Sequence, residues 1–154
     1  MELSDLINSD SIVATLKVGG KKQALQELSQ IAADVSGVAS RDIFSTVLQR
    51  ERLGSTGVGQ GIAIPHGKLD GLDRLFAIFA RLDTPIGFDA MDDQPVDLIF
   101  MLLAPESAGA DHLKALARIS RTLRDPLITK KLRNSNSTAE IYAVLTQPAA
   151  SHAA

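Results

Sequence analysis

Two apolar runs late in the chain set the terms for what it can fold into. Residues 74–82, Arg-Leu-Phe-Ala-Ile-Phe-Ala-Arg-Leu, are apolar on both faces of an extended chain, as a central strand is. Residues 96–103, Val-Asp-Leu-Ile-Phe-Met-Leu-Leu, are more apolar still and read as a second buried strand. Ahead of them, residues 11–16 are rich in β-branched side chains and predict a first strand, broken by Gly19-Gly20. Ala24, Leu25, Leu28, Ile31, Ala32 and Val35 then recur at helical spacing, with Gly37 as a C-terminal cap. Ser40 is placed to cap a second helix, which buries Ile43, Phe44, Val47 and Leu48 and ends in Arg50-Glu51-Arg52. A short strand is expected over 61–65 and an edge piece over 85–88. After a loop at 105–110, Asp111 starts a helix carrying Leu113, Leu116, Ile119 and Leu123. Asp125-Pro126 opens another, with Pro at the tolerated first position. Ser137-Thr138-Ala139-Glu140 reads as a capping box for a last helix, closed by Pro148. Residues 149–154 read as a flexible tail. This order predicts a single-domain α/β sandwich over residues 1–148, with a mixed β-sheet flanked by helices.

Composition narrows the function. A chain of 154 residues suits one domain. With 16 basic against 18 acidic residues and no basic block, no nucleic-acid partner is expected. No apolar run is long enough to span a membrane, and Met1 to Asp5 lacks the pattern of a signal peptide. Cysteine is absent, which removes disulfides, thiolate chemistry and cysteine-type zinc sites. A cytoplasmic location is expected.

Chemistry concentrates between Leu53 and Lys68, Leu-Gly-Ser-Thr-Gly-Val-Gly-Gln-Gly-Ile-Ala-Ile-Pro-His-Gly-Lys. Glycines at 54, 57, 59 and 61 mark backbone that bends sharply or closely approaches something. Ile62-Ala63-Ile64 reads as a short buried strand, and Pro65 cannot pair through its own nitrogen. His66 is thereby expected just past a strand end, presented at the surface; the plain alternative is a hairpin turn with an incidental histidine. His112, at a helix N-terminus, is either an exposed helix-start residue or a second imidazole facing His66. His152 lies in the tail. A neutral imidazole is a competent nucleophile at physiological pH and can take a phosphoryl group. Such transfer needs in-line positioning and donors for the phosphoryl oxygens. Arg50, Ser55, Thr56 and the backbone of the glycine-rich loop are candidates for that role. Arg50 is otherwise a solvated charge at a helix end. A phosphate loop is absent: Gly67-Lys68 is followed by Leu69, and Gly57-x-Gly59-x-Gly61 leads into a strand. A zinc site from His66, His112 and Asp111 is chemically conceivable, but nothing in the spacing calls for it.

The segment Gly-Ile-Ala-Ile-Pro-His-Gly-Lys, preceded by Arg-Glu-Arg-Leu-Gly-Ser-Thr-Gly, resembles the phosphohistidine segment of the type-2 enzyme IIA proteins. These are the fructose- and mannitol-type members of the bacterial phosphotransferase system, and the likeness is nearest to the nitrogen-regulatory branch. It runs over nearly the whole chain and implies the same α/β fold. It implies that His66 accepts the phosphoryl group on Nε2, that His112 is the second active-site histidine, and that Arg50 is the site arginine, with Arg52 as the fallback. Ser55 and Thr56 match loop residues near the phosphoryl group. The implied donor is an HPr-like phosphocarrier protein, with no cofactor and no metal. In the nitrogen-regulatory branch, phosphorylation state controls binding to partners such as potassium transporters or sensor kinases. The alternatives are a free-standing sugar enzyme IIA that passes phosphate to an enzyme IIB and, more distantly, a non-phosphorylated interaction domain.

Overall fold

The computed structural model describes residues 1–147, so Pro148, the tail at 149–154 and His152 lie outside the described residues. The described residues form a single-domain α/β fold with a mixed sheet of six strands and five α-helices. In chain order these are β1 (Ile12–Leu16), α1 (Lys21–Ser36), α2 (Ser40–Arg52), β2 (Gly57–Gly59), β3 (Ile62–Ala63) and β4 (His66–Leu69). They are followed by β5 (Phe76–Ile86), β6 (Val96–Pro105), α3 (Ala110–Leu123), α4 (Pro126–Asn134) and α5 (Thr138–Leu145). Two 3-10 turns that the sequence reading missed, Leu3–Asp5 and Ser9–Ser11, precede β1.

Strand order is β1-β5-β6-β3-β2, and β4 also pairs with β6. β1 runs parallel to β5, β5 antiparallel to β6, and both β3 and β4 parallel to β6. The two long apolar runs are therefore adjacent, and alternation along them splits the core in two. Ile78, Ala80 and Leu82 of β5 and Ile99, Met101 and Leu103 of β6 face α1 and α2, against Leu25, Leu28, Ile43 and Val47. Ala77, Phe79, Leu98, Phe100 and Leu102 face the other way, against Ile119, Leu123, Leu132, Ile141 and Leu145 of α3 to α5. Phe79 and Phe100 are register partners, with ring centroids 5.5 Å apart in an edge-on arrangement.

Helix ends follow the local chemistry with two exceptions. Gly37 caps α1 at φ 80°, Asp125 accepts from the Leu127 N–H at the start of α4, and Ser137 accepts from the Glu140 N–H at the start of α5. Ser40, expected as a cap, is instead the first helical residue of α2; Ala39 holds the cap position and makes no side-chain bond. Likewise α3 begins at Ala110, one residue before Asp111, with Gly109 at φ 58° as its cap residue. Of the expected edge piece at 85–88, Pro85 and Ile86 are the far end of β5, which runs to Ile86 with a register shift against β6 after Arg81.

The expected strand over 61–65 is also redrawn. Ile62 and Ala63 pair with Leu98 and Ile99 of β6, and pairing resumes from His66 to Leu69 against Leu102 to Pro105. His66 thus opens a strand and is not stranded past the end of one. Pro65 has no N–H to give, but its carbonyl accepts from the Leu102 N–H at 2.9 Å. The chain consequently keeps its place beside β6 across the proline.

Gly67, next in β4, lies under α2. A Cβ built on it would come 2.8 Å from Thr46 Cγ2, so the helix and strand approach to the limit that a glycine allows. Gly67→Ala is expected to destabilise the fold by about 1–3 kcal/mol through overpacking. Thr46→Ser removes the obstructing methyl and should restore most of that loss. Urea denaturation of the two single variants and the double variant checks this; a double variant no more stable than Gly67→Ala would refute the packing account.

Candidate functional site

α2, β4 and the start of α3 converge on one open cleft of about 700 Å³, lined by Thr46, Gln49, Arg50, Arg52, Leu53, His66, Gly67, Lys68 and His112. The proline-bridged pairing with β6 carries His66 to its floor. The His66 Nδ1–H donates to the Ile64 carbonyl at 2.9 Å. A carbonyl can only accept, so in the neutral ring the proton sits on Nδ1 and the lone pair on Nε2. The backbone itself selects the nucleophilic nitrogen.

His112, in the first turn of α3, places its ring centroid 5.7 Å from that of His66 at a tilt of 48°. The sequence left open whether His112 was a surface residue or a facing imidazole; the structure puts the two rings together. Its Nε2 is shielded from solvent and has no hydrogen-bond partner among the described residues. Burial is the main cause that lowers the His112 pKa below its usual 6.5, followed by the nearby charges of His66 and Lys68. This biases His112 towards its neutral form.

Arg50 and Arg52 both line the cleft from the last turn of α2. Arg50 Nη1 donates to the Gly54 carbonyl at 2.9 Å, which fixes one side of its guanidinium. Ser55 and Thr56 are placed differently. The Ser55 hydroxyl donates to the Phe88 carbonyl and accepts from the Gly57 N–H. Thr56 is buried, and both its hydroxyl and its N–H donate to the Glu51 carboxylate. Neither residue lines the cleft, and nor does the glycine-rich hairpin. Those glycines serve close packing. A Cβ on Gly57 would meet Ala90 at 2.7 Å, and one on Gly61, at φ 81°, would strike the bonded pair Arg133–Asp97.

Sequence reasoning missed Lys68 and Glu51. Lys68 stands two residues after His66 on β4 and so shares its face, a relation visible only once 66–69 is known to be a strand. Among the nine lining residues three are cations and none is a carboxylate. Among the described residues no three His, Cys, Asp or Glu side chains come together as a metal-binding group.

The model of the phosphoenolpyruvate-dependent sugar phosphotransferase system EIIA 2 family matches residues 5–147. The chain belongs to that family. It is 58% identical to a nitrogen regulatory protein of Bradyrhizobium diazoefficiens over 153 residues, 99% of this chain and all of the relative. It is 40% identical to a fructose-specific EIIA component of Haloferax volcanii over 128 residues, 82% of this chain and 83% of the relative. The crystal structure of nitrogen regulatory protein IIA-Ntr from Neisseria meningitidis superposes with a TM-score of 0.89 at 38% identity, covering 94% of this chain and 99% of that one. The fold expected from the sequence is thus the EIIA 2 fold. No helix among the described residues is long and apolar enough to cross a membrane.

The His112 environment has a pH consequence. The fold disfavours the imidazolium at this position, so the stability that comes from keeping it neutral is present above the ordinary imidazole pKa and is lost as the pH falls below it. NMR titration should give a His112 pKa below that of a free imidazole. Lys68→Met should raise it part of the way back, because burial remains. A value unmoved by Lys68→Met would show that the lysine charge does not reach the ring.

Proposed function

We propose that His66 Nε2 accepts a phosphoryl group from the phosphohistidine of an HPr-like phosphocarrier protein, and that the chain regulates partner proteins by its phosphorylation state. The observation that carries this reading is the tautomer lock: Nδ1–H is held by the Ile64 carbonyl while Nε2 is left free in a cleft of three cations and a neutral imidazole. In the transfer, the Nε2 lone pair attacks phosphorus and a new N–P bond forms in line with the one that breaks. The carrier's imidazole departs with the electron pair of its own N–P bond. The proton stays on Nδ1, hydrogen-bonded to the Ile64 carbonyl, whose dipole offsets the positive charge that develops on the ring.

The remaining residues supply charge and donors. Arg50 forks onto phosphoryl oxygens, with Arg52 as the alternative arginine, and Lys68 adds a point charge. His112 donates a hydrogen bond to the phosphoryl group and is not itself phosphorylated. Ser55 and Thr56 hold the loop beneath. Likeness to nitrogen regulatory proteins over the full chain supports the regulatory branch, with potassium transporters or sensor kinases as the kind of partner controlled. Likeness to a fructose-specific EIIA component supports a second reading, in which the group passes on to an enzyme IIB. The proposed setting is the cytoplasm.

Incubation with phosphoenolpyruvate, enzyme I and the carrier should add the mass of one phosphoryl group, labile in acid and stable in base. His66→Ala should fold and gain nothing; stoichiometric labelling of that variant would sink the assignment. Offering an enzyme IIB to the phosphorylated chain separates the two readings, since the sugar branch predicts rapid loss of the label.

Removal of single donors gives a graded expectation. His112→Ala should slow labelling about ten- to a hundredfold, the scale of one charge-assisted hydrogen bond, and His112→Gln should lose less because an amide still donates. Wild-type rates in both would make His112 a bystander. Arg50→Ala should slow transfer while its melting temperature stays near wild type; a normal rate there, with Arg52→Ala slow, would reassign the arginine.

A further inference from the structure

Directly between the two cleft arginines sits a carboxylate that the chemistry above does not use. Glu51 is 5% exposed, the most deeply buried carboxylate among the described residues. It points away from the cleft into the body of the fold. The Thr56 N–H donates to Oε2 at 2.8 Å and to Oε1 at 3.1 Å, and the Thr56 hydroxyl donates to Oε2 as well. Lys21 Nζ, from the start of α1, pairs with Oε1 at 3.1 Å. The same ammonium donates to the Phe88 carbonyl at 3.2 Å and lies 4.7 Å from the centroid of the Phe88 ring. A carboxylate buried this deeply is costly unless it is paired and hydrogen-bonded, as Glu51 is. The loop it grips, residues 53–56, carries the Gly54 carbonyl, and that carbonyl takes the Arg50 Nη1 donor at 2.9 Å.

We propose that Glu51 is a positioning residue for phosphoryl transfer: by clamping the loop through Thr56 and α1 through Lys21, it fixes the Gly54 carbonyl that aims the Arg50 guanidinium into the cleft. The proposal rests on the reading of Arg50 as a phosphoryl-binding residue. Adjacent positions on a helix point about 100° apart, so one turn of α2 can send Glu51 inward while Arg50 faces the cleft. Apart from Glu51, the charged side chain that ties the 53–56 loop to the end of α2 among the described contacts is Arg50 itself, through the Gly54 carbonyl. Without the clamp, the loop keeps only its backbone bonds and the Ser55 hydroxyl's bond to Phe88, exposed Leu53 and Gly54 at φ 154° can shift, and a guanidinium displaced by about an ångström loses its match to the phosphoryl oxygens.

Glu51→Gln keeps the shape but presents an amide to donors that an ionised carboxylate had satisfied, and it strips Lys21 of its countercharge. Transfer from the phosphorylated carrier protein should fall about ten- to a hundredfold at saturating carrier, with the half-saturating carrier concentration unchanged. The decisive comparison is a double-variant cycle. In an Arg50→Ala background, Glu51→Gln should cost nothing further, because there is no guanidinium left to aim. A general loss of structure would instead cut the rate by the same factor in both backgrounds, and that result, or a wild-type rate for Glu51→Gln, would overturn the proposal. If Glu51→Gln does not fold, by circular dichroism and thermal melting, Thr56→Val takes its place, since it removes one hydroxyl donor and leaves the Lys21 pair intact. A smaller loss that disappears with Arg50→Ala supports the proposal, and one that multiplies with it does not. Arg50→Ala transferring at the wild-type rate would overturn the reading of Arg50 itself. A slow Arg50→Ala on which Glu51→Gln still multiplies would overturn only the role of Glu51.

Discussion

A backbone N–H that leaves water must find an acceptor, and along β6 that requirement decides where His66 sits. β6 is buried from Val96 to Pro105 except for Asp97, and its two edges are taken by β5 on one side and by β3 and β4 on the other. The second edge is made from two short strands with a proline between them. The Gly61 carbonyl takes the Leu98 N–H and the Pro65 carbonyl takes the Leu102 N–H, so the edge stays satisfied although Pro65 can give nothing in return. Held in this way, the Ile64 carbonyl takes the His66 ring donor. The same ladder that stabilises the sheet therefore fixes the nucleophile's position and its tautomer. Loss of pairing at Pro65 and loss of the site would be one event.

Charge is handled in two ways within a few residues of α2. Glu51 is inside and fully compensated by Thr56 and Lys21, because an uncompensated buried carboxylate is costly. Arg50, Arg52 and Lys68 are at the cleft, where water screens them and their mutual repulsion is mild. The chain as a whole carries a formal net charge of −2, so this positive cleft is a local arrangement and not a reflection of overall composition. Convergent cations that cost little in water gain strength once a docked partner excludes it. That combination suits a site that must attract an anion and then release it.

Much of this was legible in the sequence. The two central strands, all five helices and the α/β sandwich followed from periodicity and capping, because those signals are local. The exchange of Ser40 for Ala39 as cap and the extension of β5 through Pro85 were not, since tertiary pairing overrode the local preference. The proline also misled the reading of His66: a missing N–H argued for a strand end, whereas the remaining carbonyl was enough to carry the pairing through. At the site, spacing alone left His66, His112 and Arg50 open and the family resemblance named them, and the fold brings them to one cleft. Ser55 and Thr56 were named with them as hydroxyl donors matching the family's loop residues, yet their donors turn inward. Direction of a side chain in an irregular loop depends on what it meets across the fold, here Phe88 and Glu51, more than thirty residues ahead in one case and back on the helix in the other.

The choice of a second imidazole beside the first has its own physical logic on the proposed reading. A third arginine at position 112 would add charge to a cleft that already holds three cations and would resist partial burial in the free state. A residue without a proton to give would leave the phosphoryl oxygens short of a donor. Histidine meets both conditions because its charge is conditional. With His66 unmodified, burial and the neighbouring positive charges keep His112 neutral. A phosphoryl dianion on His66 would reverse the sign of the nearest charge, and the two rings are close enough, 5.7 Å between centroids, for that reversal to act directly. The His112 proton affinity would then rise with phosphorylation, and the ring would become a charged donor only while there is an anion to receive it. Among the described residues the shielded Nε2 of His112 has no hydrogen-bond partner, and on the proposed reading the phosphoryl group would supply one.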